Sequence, residues 1–372
     1  MWSSQLYTKL GKSQGISDEI LEAAVQQIEA VIEPIPHPPA LLTLKHFATR
    51  ADVSYSSLRR FVSHDQKAYR HFYIRKRAGG ARLIFVPEPE LLKAQRWITE
   101  HLLNLIQVHR RSFAFSPGSS IVKCASKHCG AQWLIKFDVR DFFTSISEIQ
   151  VYRVFRSLNY GRLVSFELSR ICTFAPEMSP RYELGAWRNW HQSNIDFYEH
   201  KGIGYLPQGA PTSPMLSNLV MRELDEVLML IGKEHGLVYT RYADDLTFST
   251  KSTKYSRAQA KALQKKVQKC LVSEGLRLKA TKTTITPPGS RKVVLGLLVD
   301  GVTPALPREF KSLLRQHFHY LEDDVAKHAR KRQFDSISGM RRHIRGLIDF
   351  ANMVDSSYAS PLLHRFNEID WP

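Results

Sequence analysis

A chain of 372 residues is long enough to bury more than one core and predicts about two to three domains or subdomains, which excludes a single small binding module. Lysine plus arginine total 53 against 35 aspartate plus glutamate, a formal charge of +18 spread along the whole length, and a field of that sign favours polyanions, nucleic acid first among them. Four cysteines are too few for a disulfide framework and point to a reducing cytosol, while neither a signal peptide nor an apolar run of about 18 residues is present to suggest export or a membrane span.

Ser17 precedes Asp18 and Glu19, after which Ile20, Leu21, Ala24, Val25, Ile28, Val31 and Ile32 recur at helical spacing. The first predicted element is therefore an amphipathic helix with an acidic start, ending in the proline-rich stretch from Pro34 to Pro39. From Leu41 to Val62 two apolar runs flank Asp52-Val53-Ser54 in a helix-turn-helix pattern, read here as a packing unit rather than a DNA reader. Strands are predicted around Phe72–Ile74 and Leu83–Val86, joined through Gly79-Gly80, since paired glycines supply the positive φ angles of a tight hairpin. Arg70, Arg75, Lys76, Arg77 and Arg82 crowd that hairpin.

Further along, Leu134 to Phe137 is a short apolar strand ending at Asp138. Leu216, Leu219, Val220, Leu224, Val227, Leu228 and Ile231 form one helical stripe closed by Gly232. Leu237–Tyr242 and Leu246–Phe248 read as a hairpin around Ala243-Asp244-Asp245, and a helix carrying Leu263, Val267, Cys270 and Leu271 stops near Gly275. The last seventy or so residues differ: Phe310, Leu313, Leu314, Leu321 and Val325 make one stripe, followed by Lys327, Arg330, Lys331, Arg332, Arg341, Arg342 and Arg345.

Two acidic sites at the close of buried strands are costly unless they bind something, although Asp244-Asp245 is also open to reading as a polar turn. Phosphoryl transfer from a nucleoside triphosphate needs carboxylates converging from different strands on two magnesium ions about 3.5–4 Å apart.

Tyr242-Ala243-Asp244-Asp245 resembles the YxDD signature of reverse transcriptases, with Asp138 as the upstream partner aspartate. Other blocks follow in the family's order. Ile74 to Ile84 resembles the basic fingers hairpin, and Leu206-Pro207-Gln208-Gly209-Ala210-Pro211-Thr212-Ser213-Pro214 resembles the LPQGxxxSP block. Lys282 before Thr283 resembles the lysine block after the catalytic hairpin, and Val294-Leu295-Gly296-Leu297 resembles the primer-grip turn. Five blocks in a shared order are far more specific than any one of them. Within the family the sequence is most similar to bacterial retron reverse transcriptases, which carry an NAxxH block ahead of the first aspartate. Here that segment is Cys124-Ala125-Ser126-Lys127-His128, with cysteine for asparagine, and Leu295 stands where those enzymes commonly have threonine.

The resemblance implies an α/β (α+β) fold, a right-hand polymerase with fingers, an antiparallel-sheet palm and a helical thumb. Residues 1–65 would be an N-terminal helical region, 66–300 fingers and palm, and 301–372 a basic helical thumb and RNA-recognition region. Asp138 and Asp244 would ligate both ions of a two-magnesium site, with Asp245 as the weaker third carboxylate. Lys76 and Arg82 would hold the triphosphate, unless they are a solvated basic face. Phe143 would be an aromatic steric gate against a ribose 2′-hydroxyl, or else a core phenylalanine. Gln208 and Gly209 would lie along the incoming nucleotide and template. Lys282 would protonate the leaving pyrophosphate, or is a plain surface lysine. His128 is an RNA contact or an ordinary buried or capping histidine. Arg341, Arg342 and Arg345 would contact RNA phosphates, or form a solvated face.

The implied partners are a structured non-coding RNA acting as template and, through a 2′-hydroxyl, as primer of a branched RNA–DNA product; deoxynucleoside triphosphates; and a separate effector protein in antiphage defence. The expected location is the cytoplasm, with no membrane. The rivals are a group II intron-like or abortive-infection reverse transcriptase, and a noncatalytic RNA-binding scaffold. Residues 178–201, with Trp187 and Trp190, are expected to be an inserted surface.

Overall fold

A helix precedes the first one predicted from the sequence. In the computed structural model, which describes residues 3–33, 37–75, 79–175 and 202–372, helix α1 covers Ser4–Ser13 and packs on α2, Asp18–Ile32. The Ser3 hydroxyl caps α1, whereas Ser17 makes no side-chain cap bond to α2. Periodicity reveals α2 because Leu21, Ile28 and Val31 face the core; in α1 the buried residue is Gly11, while Leu6 and Leu10 stay exposed. The predicted stop at Pro34 lies outside the described residues, as do Lys76, Trp187 and Trp190.

Thr43 and Ser54 cap α3, Leu44–Ala51, and α4, Tyr55–Val62, with Asp52 in left-handed conformation between them. Their buried faces, Phe47 and Ala51 on one and Leu58, Phe61 and Val62 on the other, join the main core, as suits a packing unit. Strand β1, Tyr69–Arg75, pairs antiparallel with β2, Ala81–Pro87, and Gly79 and Gly80 supply φ angles of 86° and 80° in the predicted turn. Then come α5, Pro89–His101, and α6, Ile121–Ser126.

The central part runs β3, Trp133–Asp138; α7, Phe142–Ser145; α8, Glu148–Ser157; and α9, Arg162–Ile171. The single helix expected over Leu216–Ile231 is two, α10, Ser213–Val220, and α11, Arg222–Glu234. Gly232 does not close it. It lies inside α11 where a Cβ would meet the Leu237 carbonyl at 3.2 Å, so it serves close packing, and the left-handed stop is Gly236.

Next come β4, Val238–Tyr242; β5, Asp245–Thr250; α12, Arg257–Ser273, terminated at left-handed Gly275; and β6, Thr284–Thr286. These build an antiparallel sheet in the order β4-β5-β3-β6. Strands β7, Val293–Val294, and β8, Leu297–Leu298, turn through Leu295 and Gly296, both at positive φ. The predicted Phe310–Val325 stripe is also broken: α13, Arg308–Asp323, ends at Asp324, whose side chain caps α14, Val325–Lys331. The chain closes with α15, Ile337–Val354, and α16, Ser356–Glu368.

Two hydrophobic cores result. One joins α2–α5 to the central sheet and its helices; the other gathers β7, β8 and α13–α16 together with Ala125, Cys129 and Leu134. An antiparallel sheet backed by helices, with a helical C-terminal cluster, is the expected α/β (α+β) right-hand organisation. Among the described residues no helix is long and apolar enough to cross a membrane.

Candidate active site

Asp138 closes a strand otherwise built largely of apolar residues, and only 4% of it is exposed. Its Cα partner across the sheet is Asp245, the first residue of β5. Tyr242 also pairs with Asp245, which leaves Ala243 and Asp244 as a two-residue turn with Ala243 at a φ of 54°. Val139 N donates to the Asp244 carbonyl at 3.0 Å and Lys279 N to the Asp138 carbonyl at 2.8 Å, lacing the strand ends together. The sheet register therefore brings all three aspartates to one end of β3 and the β4–β5 hairpin.

Burial raises Asp244 and Asp245 above the ordinary carboxylate range; the Asp138 charge adds to this at Asp244, and the Asp244 charge adds to it at Asp245. Lys282 and Arg82 oppose the shift at Asp244, which places both cations within electrostatic reach of the turn. Lys282 Nζ pairs with Asp138 Oδ2, and that hydrogen bond holds the lysine above its usual pKa.

The Ala243-Asp244 turn rests on a buried network that the sequence did not announce. Arg241, fully buried in β4, grips Asp225 of α11 bidentately, Nε to Oδ1 at 2.8 Å and Nη2 to Oδ2 at 2.6 Å. Tyr239 Oη adds a third bond to Asp225 at 2.7 Å. Arg241 Nη1 donates to Asn218 Oδ1 at 2.9 Å and to the Ala243 carbonyl at 3.3 Å, so the guanidinium ties α10 and α11 to the turn itself. The available signals were an arginine inside an apolar strand and Asp225 inside an apolar helical stripe.

Of the residues expected to face a nucleotide, Phe143, Gln208, Gly209 and Arg82 lie on adjoining elements, α7, the Leu206–Pro214 segment and β2. Phe143, half-buried in α7, lies 6.0 Å from Phe115 and 5.6 Å from Phe142 between ring centroids. Leu206 N bonds the Ile146 carbonyl at 3.1 Å, bringing the Leu206–Pro214 segment beside α7. Gln208 O then accepts from Phe85 N of β2 at 2.8 Å, and a Cβ on Gly209, whose φ is 118°, would collide with the Phe85 carbonyl. Glycine is required there by both space and backbone angle. Arg82 is exposed on the same hairpin. Phe115, with a φ of 64° and 42% exposure, was not anticipated as a neighbour of Phe143.

The RNA-side candidates lie elsewhere. His128 is 1% exposed, with Nδ1 bonded to Ser249 Oγ and Nε2 to Thr240 Oγ1, each at 2.7 Å, and burial drives its pKa down to about 3. An enclosed neutral imidazole cannot touch RNA, so of its two readings the buried one holds. Arg341, Arg342 and Arg345 are exposed on α15, where Arg341 sits over the Trp371 ring and Arg345 Nε pairs with Asp349 at 3.0 Å.

Among the described residues no group of three or more His, Cys, Asp or Glu side chains forms a closed metal cluster; Asp138 instead engages Lys282. The donor chemistry nevertheless suits a hard divalent cation. It consists of carboxylate oxygens alone, two of them pushed toward protonation by burial and mutual repulsion that a cation would relieve.

A family model described as "Reverse transcriptase (RNA-dependent DNA polymerase)" matches residues 74–321. The retron Mx162 reverse transcriptase of Myxococcus xanthus is 32% identical over 333 residues, 86% of this chain and 65% of that protein. The retron Ec86 reverse transcriptase of Escherichia coli is 28% identical over 89% of this chain and 91% of its own length. The retron Mx65 reverse transcriptase of Myxococcus xanthus is 31% identical over 88% and 72% respectively.

Proposed function

The chain belongs to the reverse transcriptase (RNA-dependent DNA polymerase) family, with bacterial retron enzymes among its relatives, and from that membership we propose that it copies a dedicated structured RNA into DNA at the Asp138–Asp244–Asp245 site. The observation that carries this reading is the convergence of the three carboxylates on adjoining strand ends, held by a buried arginine. The same reading keeps residues 1–65, 66–300 and 301–372 as N-terminal region, fingers with palm, and thumb.

Asp138, Asp244 and Asp245 would hold two magnesium ions, which when bound supply charge neutralisation at the attacking oxygen and the leaving pyrophosphate. Arg82, and with it Lys76, holds the triphosphate through charge-assisted hydrogen bonds. Phe143 stands beneath the sugar and excludes a 2′-hydroxyl. Gln208 and Gly209 lie along the incoming nucleotide and template, the glycine allowing close backbone approach. Lys282, paired with Asp138 at the edge of the site, delivers a proton to the leaving pyrophosphate. Arg341, Arg342 and Arg345 contact a stem of the RNA, whose 2′-hydroxyl primes a branched product. The protein acts in the cytoplasm with a separate effector in antiphage defence.

Asp244→Asn changes charge with little change of shape, so DNA synthesis is expected to disappear while RNA binding stays within about twofold. Primer extension at the wild-type rate by this variant would sink the assignment.

A further inference from the structure

Helix α12 carries Arg257, Lys261, Lys265, Lys266 and Lys269 and no acidic residue, and with Lys251 and Lys254 the stretch 251–273 holds seven cations and no carboxylate. Its other face is fixed in the core: Ala260, Leu263, Val267 and Leu271 are fully buried. Burial of that face leaves Arg257, Lys261, Lys265 and Lys269 all exposed, each four residues from the next. Lys266 is ion-paired, to Glu234 at 2.7 Å; the four residues of the row have no ion-pair partner among the described residues.

This arrangement works against the helix. Like charges at a spacing of four destabilise it, and Arg257 in the first turn opposes the helix dipole. An ordinary solvated face intersperses both signs, as α13 does with Arg308, Glu309, Lys311, Arg315, Glu322 and Asp323. At a rise of 1.5 Å per residue the four cations stand about 6 Å apart along a row about 18 Å long. One strand of a nucleic-acid duplex presents roughly five phosphates over that length. The row also has a direction. It starts beyond the end of β5 remote from the aspartates and finishes where Gly275 returns the chain to Arg277 and Lys279, which bond the backbone of Arg140 and Asp138. A lipid surface is a poor fit, because a membrane-lying helix needs a free apolar face and this one is buried in the core.

We propose that the Arg257–Lys261–Lys265–Lys269 row of α12 is a second nucleic-acid contact surface, which grips the phosphates of one strand of a double-helical RNA stem. The choice of RNA rests on the polymerase reading above; the charge argument does not. Duplex RNA is held mainly through shape, phosphates and 2′-hydroxyls, which suits point-charge lysines.

The test compares the full-length protein with a variant carrying glutamine at all four positions, and with a control carrying glutamine at the scattered, exposed Lys9, Lys45, Arg96 and Lys233. Affinity for an RNA hairpin with a stem of about twenty base pairs is measured across a salt series. Four lost phosphate contacts are expected to flatten the slope of log affinity against log salt by about three to four units, with the control flattening it by less than one. Circular dichroism melting checks that both variants are folded, and extension of a short preannealed primer–template at saturating concentration is expected to stay at the wild-type rate. An unchanged slope, or equal flattening in the control, overturns the proposal. So does a variant that keeps its RNA affinity but loses binding to phosphatidylserine vesicles, which would assign the row to lipid. Wild-type protein unable to extend any primer would sink the polymerase reading instead, while the salt slope would still decide the row.

Discussion

Phe143 and Phe115 illustrate how much a single backbone angle can position. Phe115 adopts the left-handed region that bulky side chains rarely occupy, and its surroundings hold it there: Asn218 Nδ2 bonds the Ala114 carbonyl at 2.7 Å, and Phe113 N bonds the Arg241 carbonyl at 2.9 Å. The outcome is an exposed ring set against Phe143. If Phe143 is the sugar gate, Phe143→Val opens space for a 2′-hydroxyl, and ribonucleotide incorporation relative to deoxyribonucleotide is expected to rise by about 10- to 100-fold. Phe115→Ala removes only the wall behind the gate and is expected to give a smaller rise. Single-nucleotide incorporation with each sugar measures both; unchanged discrimination in folded Phe143→Val would place the gate elsewhere.

At the scale of elements, the β4–β5 hairpin is held to α10 and α11 by polar groups, and this is where legibility ran out. The hairpin itself, β3 and the Gly79-Gly80 turn were readable because apolar runs and paired glycines are local signals. The break at Met221 was not, because no glycine or proline marks it, and the partnership of Arg241 with Asp225 was not, because it depends on residues sixteen apart meeting in the core. His128 was ambiguous for the same reason: nothing local distinguishes a ligand of RNA from a bridge between Thr240 and Ser249. The three aspartates were legible because each ends or turns a strand and because Tyr242-Ala243-Asp244-Asp245 resembles the YxDD signature. Asp225→Asn leaves the Arg241 charge buried without its counterpart, and the expected cost is about 3–5 kcal/mol, larger than loss of an exposed pair. Urea unfolding measures it. DNA synthesis is expected to fall as well, since Arg241 Nη1 holds the Ala243 carbonyl beside Asp244; a loss under about 1 kcal/mol would mean the pair is not what fixes the hairpin.

Across the whole molecule the two cores meet at a histidine. Ala125 and Cys129, on either side of His128, pack with the C-terminal helices, while the His128 ring bonds Thr240 of β4 and Ser249 of β5. Its folded pKa of about 3 lies below the ordinary value near 6.5, so the neutral ring is what the fold accepts. The consequence has a definite sign. Above about pH 6.5 neither state binds the proton and the contribution is complete; as pH falls below that, the unfolded chain takes up a proton that the folded chain refuses, and stability is lost progressively toward about pH 3. His317 behaves alike, with burial and then the His328 ring, 2.9 Å away, driving it to about 4 within the second core. Between about pH 7.5 and about pH 5, His128 alone is expected to cost on the order of 2 kcal/mol. The measurement is urea unfolding of wild type and His128→Gln at both pH values. Glutamine offers both a donor and an acceptor to Thr240 and Ser249 but cannot titrate, so the variant is expected to be less stable at the higher pH yet to lose less on acidification, by about that amount. Equal acid sensitivity in the two proteins would mean the seam between the cores is not what the proton opens, and would direct attention to the His317–His328 pair.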